Sequence, residues 1–187
     1  MAPILGIYAS SNYQRIAPDT GAMFPIAMAV GTGSSGTITF SNIPQTYKHL
    51  QIRVIGLYSS SAAEVYMSLN ADENNSNYTR HYIYGDGSSA VASSDVNVGQ
   101  TRSIAYSATS STTTPTPFIV DILDYTSTSK KKVSRILVGR EFNGSGVIGL
   151  TSQLWNATPA AITSIKLATS AGNFNQYSQF ALYGIKG

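Results

Sequence analysis

The residues that could do chemistry are few: two histidines, nine carboxylates and no cysteine. Without cysteine there is no disulfide, no thiolate metal site and no thiol nucleophile. Asp72, Asn74 and Ser76 repeat oxygen-bearing side chains at the alternate spacing of a calcium loop. That chemistry also needs a glycine at the sixth loop position and a bidentate glutamate at the twelfth, where Asn77 and Ile83 stand instead. A polar hairpin loop is expected there, and no metal site. Gly31 to Gly36 spells G-x-G-x-x-G, but the next residues, TITFSNIP, form a strand pattern, and no acidic residue occurs between Thr37 and Ala63. A dinucleotide site needs a helix opening on the third glycine and an acidic partner about 20 residues on. We expect a hairpin turn and no nucleotide cofactor.

The nucleophile motifs fail in the same way. Ser127 to Lys130 spells S-x-x-K, which works when a helix sets the lysine beside the serine. Here it lies in a Ser/Thr turn ahead of a strand. His49 falls on the polar face of an alternating run. His81 precedes Asp86 by five residues, a spacing that any serine-rich chain could complete into a nominal triad. A glycosidase needs two carboxyl groups across one cleft. Asp121 and Asp124, three apart on one strand, point to opposite faces, and Glu141 is remote in sequence. The chain is therefore expected not to be an enzyme.

The elements that must position these residues are strands. In YKHLQIRVIGL, Leu50, Ile52 and Val54 share one face while His49, Gln51 and Arg53 share the other. PFIVDILDY repeats the pattern with Phe118, Val120 and Ile122 against Asp121. TITF, VYMSL, Tyr78 to Tyr84, VSRILVGREF and VIGLTSQLW add further short runs, and Asn143-Gly144 is a strong turn dipeptide. Phe24 to Val30 contains Pro25, which confines it to an edge. The Ser/Thr-rich stretch 88–117 offers only weak strands near Val96 to Val98 and Arg102 to Tyr106, and is expected to be a long excursion. At the C-terminal end, ITSIKLAT and QYSQFALYGI flank a Gly-Asn turn and predict a hairpin, with Ile165, Leu167, Phe180 and Leu182 facing the core. No window shows a sustained helical period. These runs predict an all-β, antiparallel β-sandwich of jelly-roll type with about 8–10 strands, residues 21–187 forming one domain behind an N-terminal arm, residues 1–20.

Composition narrows the partners. Charged residues make up 11% of the chain, against about 25% in ordinary soluble domains. The net charge of +3 is too mild for a nucleic-acid binder, and no apolar stretch approaches the ~18 residues of a membrane span. Within the arm, PILGIY presents Ile4, Leu5, Ile7 and Tyr8 as candidate contacts for a neighbouring subunit. Tyr82, Tyr84 and Trp155 are candidate sugar-stacking residues, since aromatic faces suit glycan rings.

The segments IPQTYKHLQIRV, LNADENNSNYTRHYIYGDGSS, DILDY and ITSIKL followed by GNFNQYSQFALYGIKG resemble a family of small virion structural proteins of tailed bacteriophages from aquatic hosts. The resemblance runs from about Ile38 to Gly187. It implies an exposed β-sandwich in a homotrimer, located at the surface of the phage particle and bound to other virion proteins, either the major capsid protein or tail components. It carries no catalytic residue and no cofactor. Because only about twenty residues precede the first strands, a capsid-decorating or cement protein is expected ahead of a tail fibre or adhesin tip that binds host surface polysaccharide.

Overall fold

A computed structural model describes residues 22–61, 63–96, 102–108 and 111–187. Among them are twelve strands, one 3-10 turn at Asn75–Asn77 and no α-helix. Ile4, Leu5, Ile7 and Tyr8 lie outside the described residues.

The strands form two antiparallel sheets that pack as a β-sandwich. The large sheet has the order β1-β12-β3-β8-β9-β10-β5-β6, made of Met23–Val30, Gln179–Ile185, His49–Tyr58, Ser111–Ile122, Lys132–Arg140, Val147–Trp155, Tyr78–Gly85 and Ala90–Val96. The small sheet has the order β2-β11-β4-β7, made of Thr37–Phe40, Ile165–Thr169, Ala63–Leu69 and Ser103–Ala108. The core lies between them. Leu50, Ile52 and Val54 of β3 meet Phe118, Val120 and Ile122 of β8 in register and are all buried. Val65, Met67 and Leu69 of β4 with Ile165 and Leu167 of β11 close the core from the other side. Pro25 sits on an edge strand, as proline requires, and the register shifts between Pro25 and Ala27. Asn143 and Gly144 both have positive φ, the geometry of a tight hairpin turn joining β9 to β10.

Three expectations need correcting. The C-terminal pair is not a hairpin: β11 belongs to the small sheet and β12 to the large one. Residues 170–178 carry the chain across the sandwich, with Gly172 and Tyr177 at positive φ. Ile165, Leu167, Phe180 and Leu182 are all fully buried, so the core assignment holds while the pairing does not. Alternation tells which side chains are buried and is silent about whether the two strands are neighbours or face each other. The glycine-rich run 31–36 likewise crosses between sheets, from β1 to β2, with Gly31 N–H donating to Ser178 O (2.8 Å) and Gly33 N–H to Phe174 O (3.0 Å). The stretch 88–117, finally, supplies β6, β7 and the first half of β8, which brings the strand total above the expected eight to ten.

Candidate functional site

The small sheet covers only part of the large one. Its last strand, β7, lies against β8, β9 and β10, leaving β5 and β6 at the margin of the overlap. There the inner face changes character. Arg80 is 1% exposed and is held by Asp95, across the β5–β6 ladder, through Nε to Oδ2 (2.6 Å), while Nη1 donates to Ser103 O of β7 (3.0 Å). Its guanidinium stands 4.8 Å from the Tyr82 ring centre. Tyr82 and Tyr84, two apart on β5, share this face and stack with centroids 6.3 Å apart. Tyr84 pairs across the ladder with Gly149 of β10, and the missing side chain leaves room for its ring.

The stack leads to a cleft of about 650 Å³ between the β5–β6 and β9–β10 turns, lined by Tyr84, Asp86, Ser88, Arg140, Ser145 and Val147. Asp86 Oδ1 accepts from the backbone N–H groups of Ser88 (2.9 Å) and Ser89 (2.7 Å), which hold its carboxyl down at about 2. Asp86 is thus an ionised turn-former. His81, its nominal triad partner, is on the opposite, outer face of β5 and exposed. Arg140 and Asp86 give the cleft one charge of each sign beside an aromatic ring. That combination can hold a polyhydroxylated or zwitterionic ligand.

Trp155 is elsewhere. It is 6% exposed, packs in the core, and donates from Nε1 to Asp72 Oδ2 (2.8 Å). It faces Tyr78 across the ladder, whereas Tyr82 faces Thr151, four residues away along β10 and so about 13 Å distant. The structure unites Tyr82 with Tyr84 and separates both from Trp155, whose indole is no surface platform for a sugar. Asp72 also accepts from Asn77 Nδ2 (2.8 Å) and the Asn74 N–H (3.0 Å), and Asn74 Oδ1 accepts from the Ser76 N–H (3.1 Å). Burial raises the Asp72 carboxyl, and the donated hydrogen bonds outweigh it, leaving it below its ordinary value. The spacing that suggested calcium is therefore used to fold the loop onto Trp155. Among the described residues no group of three His, Asp or Glu side chains is placed to hold a metal. His49 lies on the outer face, where its Nδ1 accepts from the Asp124 N–H (3.0 Å). Asp124 is bound by Lys48 (2.6 Å) and Lys130 (2.7 Å), whose hydrogen bonds lower its carboxyl.

The outer face of the large sheet was not singled out by the sequence. On β10 the usual order is inverted: Thr151 and Gln153 point inward and are buried, whereas Ile148 and Leu150 point outward and are 65% and 49% exposed. Registered across the ladders, Ile119, Leu137, Leu150, Ile83 and Ala92 make one outer row, and Ile148 with Gly139, Gly85 and Ala90 makes the next. The row on the other side is polar throughout its centre: Gln51, Asp121, Arg135, Ser152, His81 and Ser94. The inverted alternation of V-I-G-L-T-S-Q-L-W was the available signal, but period alone does not say which face is inside.

No protein-family model and no curated protein matches the chain. Among solved structures, an aerolysin-like protein of Bombina maxima is 9% identical, with 80% of this chain and 88% of that one covered and a TM-score of 0.14. The D2-D3 domains of the flagellar cap protein FliD of Escherichia coli are 10% identical, with 86% and 99% covered and a TM-score of 0.12. Similarity this low carries no argument about fold or function.

Proposed function

We propose that the chain is a non-enzymatic structural protein of a bacteriophage particle, displayed at the virion surface as a capsid-decorating or cement protein. The strand order carries this reading. Without β1, β12 and the β9–β10 hairpin, the large sheet reduces to β3-β8-β5-β6 facing β2-β11-β4-β7. That order is the one expected of the double Greek key of a jelly roll, an architecture used by capsid domains, and this is what supports the reading. The sequence resemblance to small virion proteins points the same way. So does the chemistry: Asp72, Asp86, Asp95, Asp121 and Asp124 each fasten a loop or a basic side chain, and none stands as a general acid. The major capsid protein is the partner this reading names, with Ile4, Leu5, Ile7 and Tyr8 as its contacts, and a homotrimer is the assembly that the resemblance implies. Heads purified without tails should retain the protein at a copy number comparable to that of the shell protein. Recovery only in tail fractions, at a few copies per particle, would overturn it.

The Tyr82–Tyr84 stack and its cleft favour one alternative, a tail adhesin module that binds host surface polysaccharide. Its test is adsorption of phage carrying Tyr84→Ala. An unchanged adsorption rate with the protein folded rules that reading out.

A further inference from the structure

We infer that the outer face of the large sheet is a self-association surface, on which a second copy of this chain packs sheet to sheet about a twofold axis. The observation is the apolar band two rows wide. Leu137, Leu150 and Ile83 are 49%, 49% and 56% exposed in one row, and Ile55 and Ile148 are 48% and 65% exposed in the other. Together with Ile119, Pro117, Ala90 and Ala92 they form a contiguous apolar surface, with a groove of about 510 Å³ at its β9, β10, β5 and β6 end. A lone soluble domain rarely exposes such a patch beyond a few hundred Å². The inverted alternation of β10 has the same meaning: its apolar side is turned toward a cover that the chain's own small sheet does not provide.

The occupant follows from the pattern of the face itself. The two rows flank the line Val54, Phe118, Val138, Gly149, Tyr84, Val91, which is continuous in register across six strands. A twofold axis lying over that line lays each row on the other row of the second copy. Leu137 then meets Gly139 of the second copy, Ile83 meets its Gly85, and Leu150 meets its Ile148: large side chains face the two bare glycines. Gly139 has no heavy atom of its own chain within 4 Å of where a side chain would begin, so the hollow above it is open. Charge is complementary in the next rows out. Arg135 in the polar row, 3.7 Å from Asp121 of its own chain, comes opposite Glu141, the residue just past the end of β9, whose Oε1 also accepts from the Gly144 N–H (2.7 Å), and the symmetry makes that contact twice. Arg53, the one cation in the band, has its Nε bonded to Gln51 Oε1 (2.8 Å) and its head 5.6 Å from the Tyr183 ring centre, drawn away from the apolar surface.

Size also agrees. Six strands at ~4.8 Å and the three outer rows at ~6.8 Å cover roughly 600 Å², and the β5–β6 and β9–β10 turns beyond the strand ends extend the face toward the roughly 800 Å² each partner contributes to a stable interface. Sheets stacked this way prefer an angle of about 30° and a separation of about 10 Å. The contact is isologous, closes at two copies, and is distinct from any threefold contact. It does not depend on the virion reading, because it would exist in the purified protein.

Light scattering on the purified full chain tests it. The wild type is expected at twice the 19.9 kDa mass of one chain. Leu137→Lys and Gly139→Leu should each return the mass to that of one chain with an unchanged circular dichroism spectrum. Gly139→Leu is the sharper variant, since nothing in its own chain obstructs the new side chain. Arg135→Glu should raise the dissociation constant about tenfold or more by setting like charges opposite each other, and adding Glu141→Arg should restore it. A wild type that stays at the mass of one chain at ~100 µM, well above the micromolar dissociation constants of ordinary pairs, overturns the proposal. So does any larger species, a trimer included, that Leu137→Lys and Gly139→Leu leave intact.

Discussion

The two halves of the large sheet differ in what they bury at their centres. In β12, β3 and β8 the inner side is aliphatic and aromatic, and the outer side carries Tyr183, Gln51, Arg53 and Asp121 beside Ile55, Pro117 and Ile119. In β10, β5 and β6 the inner side carries Thr151, Gln153, Arg80 and Asp95, and the outer side carries Ile148, Leu150, Ile83 and Ala92. The difference follows from cover. The first half lies under the small sheet, where burial of apolar area supplies the driving force at about 25 cal/mol per Å². In the second half β10 lies against β7, the last strand of the small sheet, and β5 and β6 form the margin of the overlap; a polar group there can be closed by neighbours, as Arg80 is by Asp95 and Ser103.

The largest expected effect separates the halves directly. Leu182→Asp places an unpaired carboxylate in a site with no exposure, and should cost on the order of 4 kcal/mol or more in urea unfolding, or prevent folding. Leu150→Asp, made on the outer side of the other half, should change the stability of the isolated chain by less than about 1 kcal/mol. Equal losses would erase the distinction between a covered and an uncovered side.

Next comes the buried cation. Arg80→Ala removes the partner of Asp95 and leaves the Ser103 carbonyl unanswered, so a loss of about 3 kcal/mol is expected. Arg80→Met, which keeps the stem and discards the charge, should recover part of that loss when combined with Asp95→Asn. If Arg80→Ala costs under about 0.5 kcal/mol, the polar interior of β5 is solvated margin and not structure.

How much of this was legible depended on what a period of two can say. The faces of β3 and β8 were readable because large aliphatics alternate with Gln51, Arg53 and Asp121, and a charged side leaves one choice of interior. The edge position of β1 was readable from Pro25. β10 was not, because Thr151, Gln153, Ile148 and Leu150 place polar and apolar residues on regular sides without telling which side is covered. That information belongs to the length of the small sheet. The C-terminal strands failed for a related reason: nine residues between them can turn back along one sheet or cross to the other, and Gly172 permits both. The stretch 88–117 looked too polar for strands, yet its β6 margin needs little apolar area, and Ile104 and Ala105 of β7 suffice to seat that strand. At the candidate site, Tyr82 and Tyr84 were found by type and spacing. Trp155 was misplaced because a tryptophan near a turn looks alike whether its indole meets water or Asp72.

Acid sharpens the comparison at the base of the polar half. Because Asp72 has its carboxyl lowered in the fold, the unfolded chain binds the proton more readily. The stabilisation is present above the ordinary carboxyl value of 3.8 and is lost as pH falls through and below it. Urea midpoints should therefore decline from pH 5 to pH 3, and Asp72→Asn should flatten that decline while costing about 1 kcal/mol at pH 7 through its weakened bond to Trp155. A decline of unchanged slope in Asp72→Asn would assign the acid sensitivity to Glu73, Asp86 and Asp124, whose carboxyls are also lowered.

The smallest effect tests whether the covered half is as apolar in its demands as in its composition. Tyr58, 1% exposed at the end of β3, packs its ring against Phe174 at 5.7 Å, and Phe174 meets Phe180 edge-on at 4.7 Å. Its hydroxyl is buried with no hydrogen-bond partner, and burial raises its pKa well above the ordinary value. A hydroxyl stripped of water without a partner is a cost that the rings around it do not offset. Tyr58→Phe keeps every ring contact and removes only that oxygen, so stability should hold or rise by about 0.5–1 kcal/mol. The same deletion in the polar half, Tyr78→Phe, breaks two bonds, from the Leu69 N–H (3.0 Å) and to the Asp72 carbonyl (2.9 Å), and should cost about 1–2 kcal/mol. Opposite signs from one chemical change would locate the boundary between the halves at the side chains themselves; a loss at Tyr58 would mean that its hydroxyl is answered in solution and that the covered half is less dry than its residues imply.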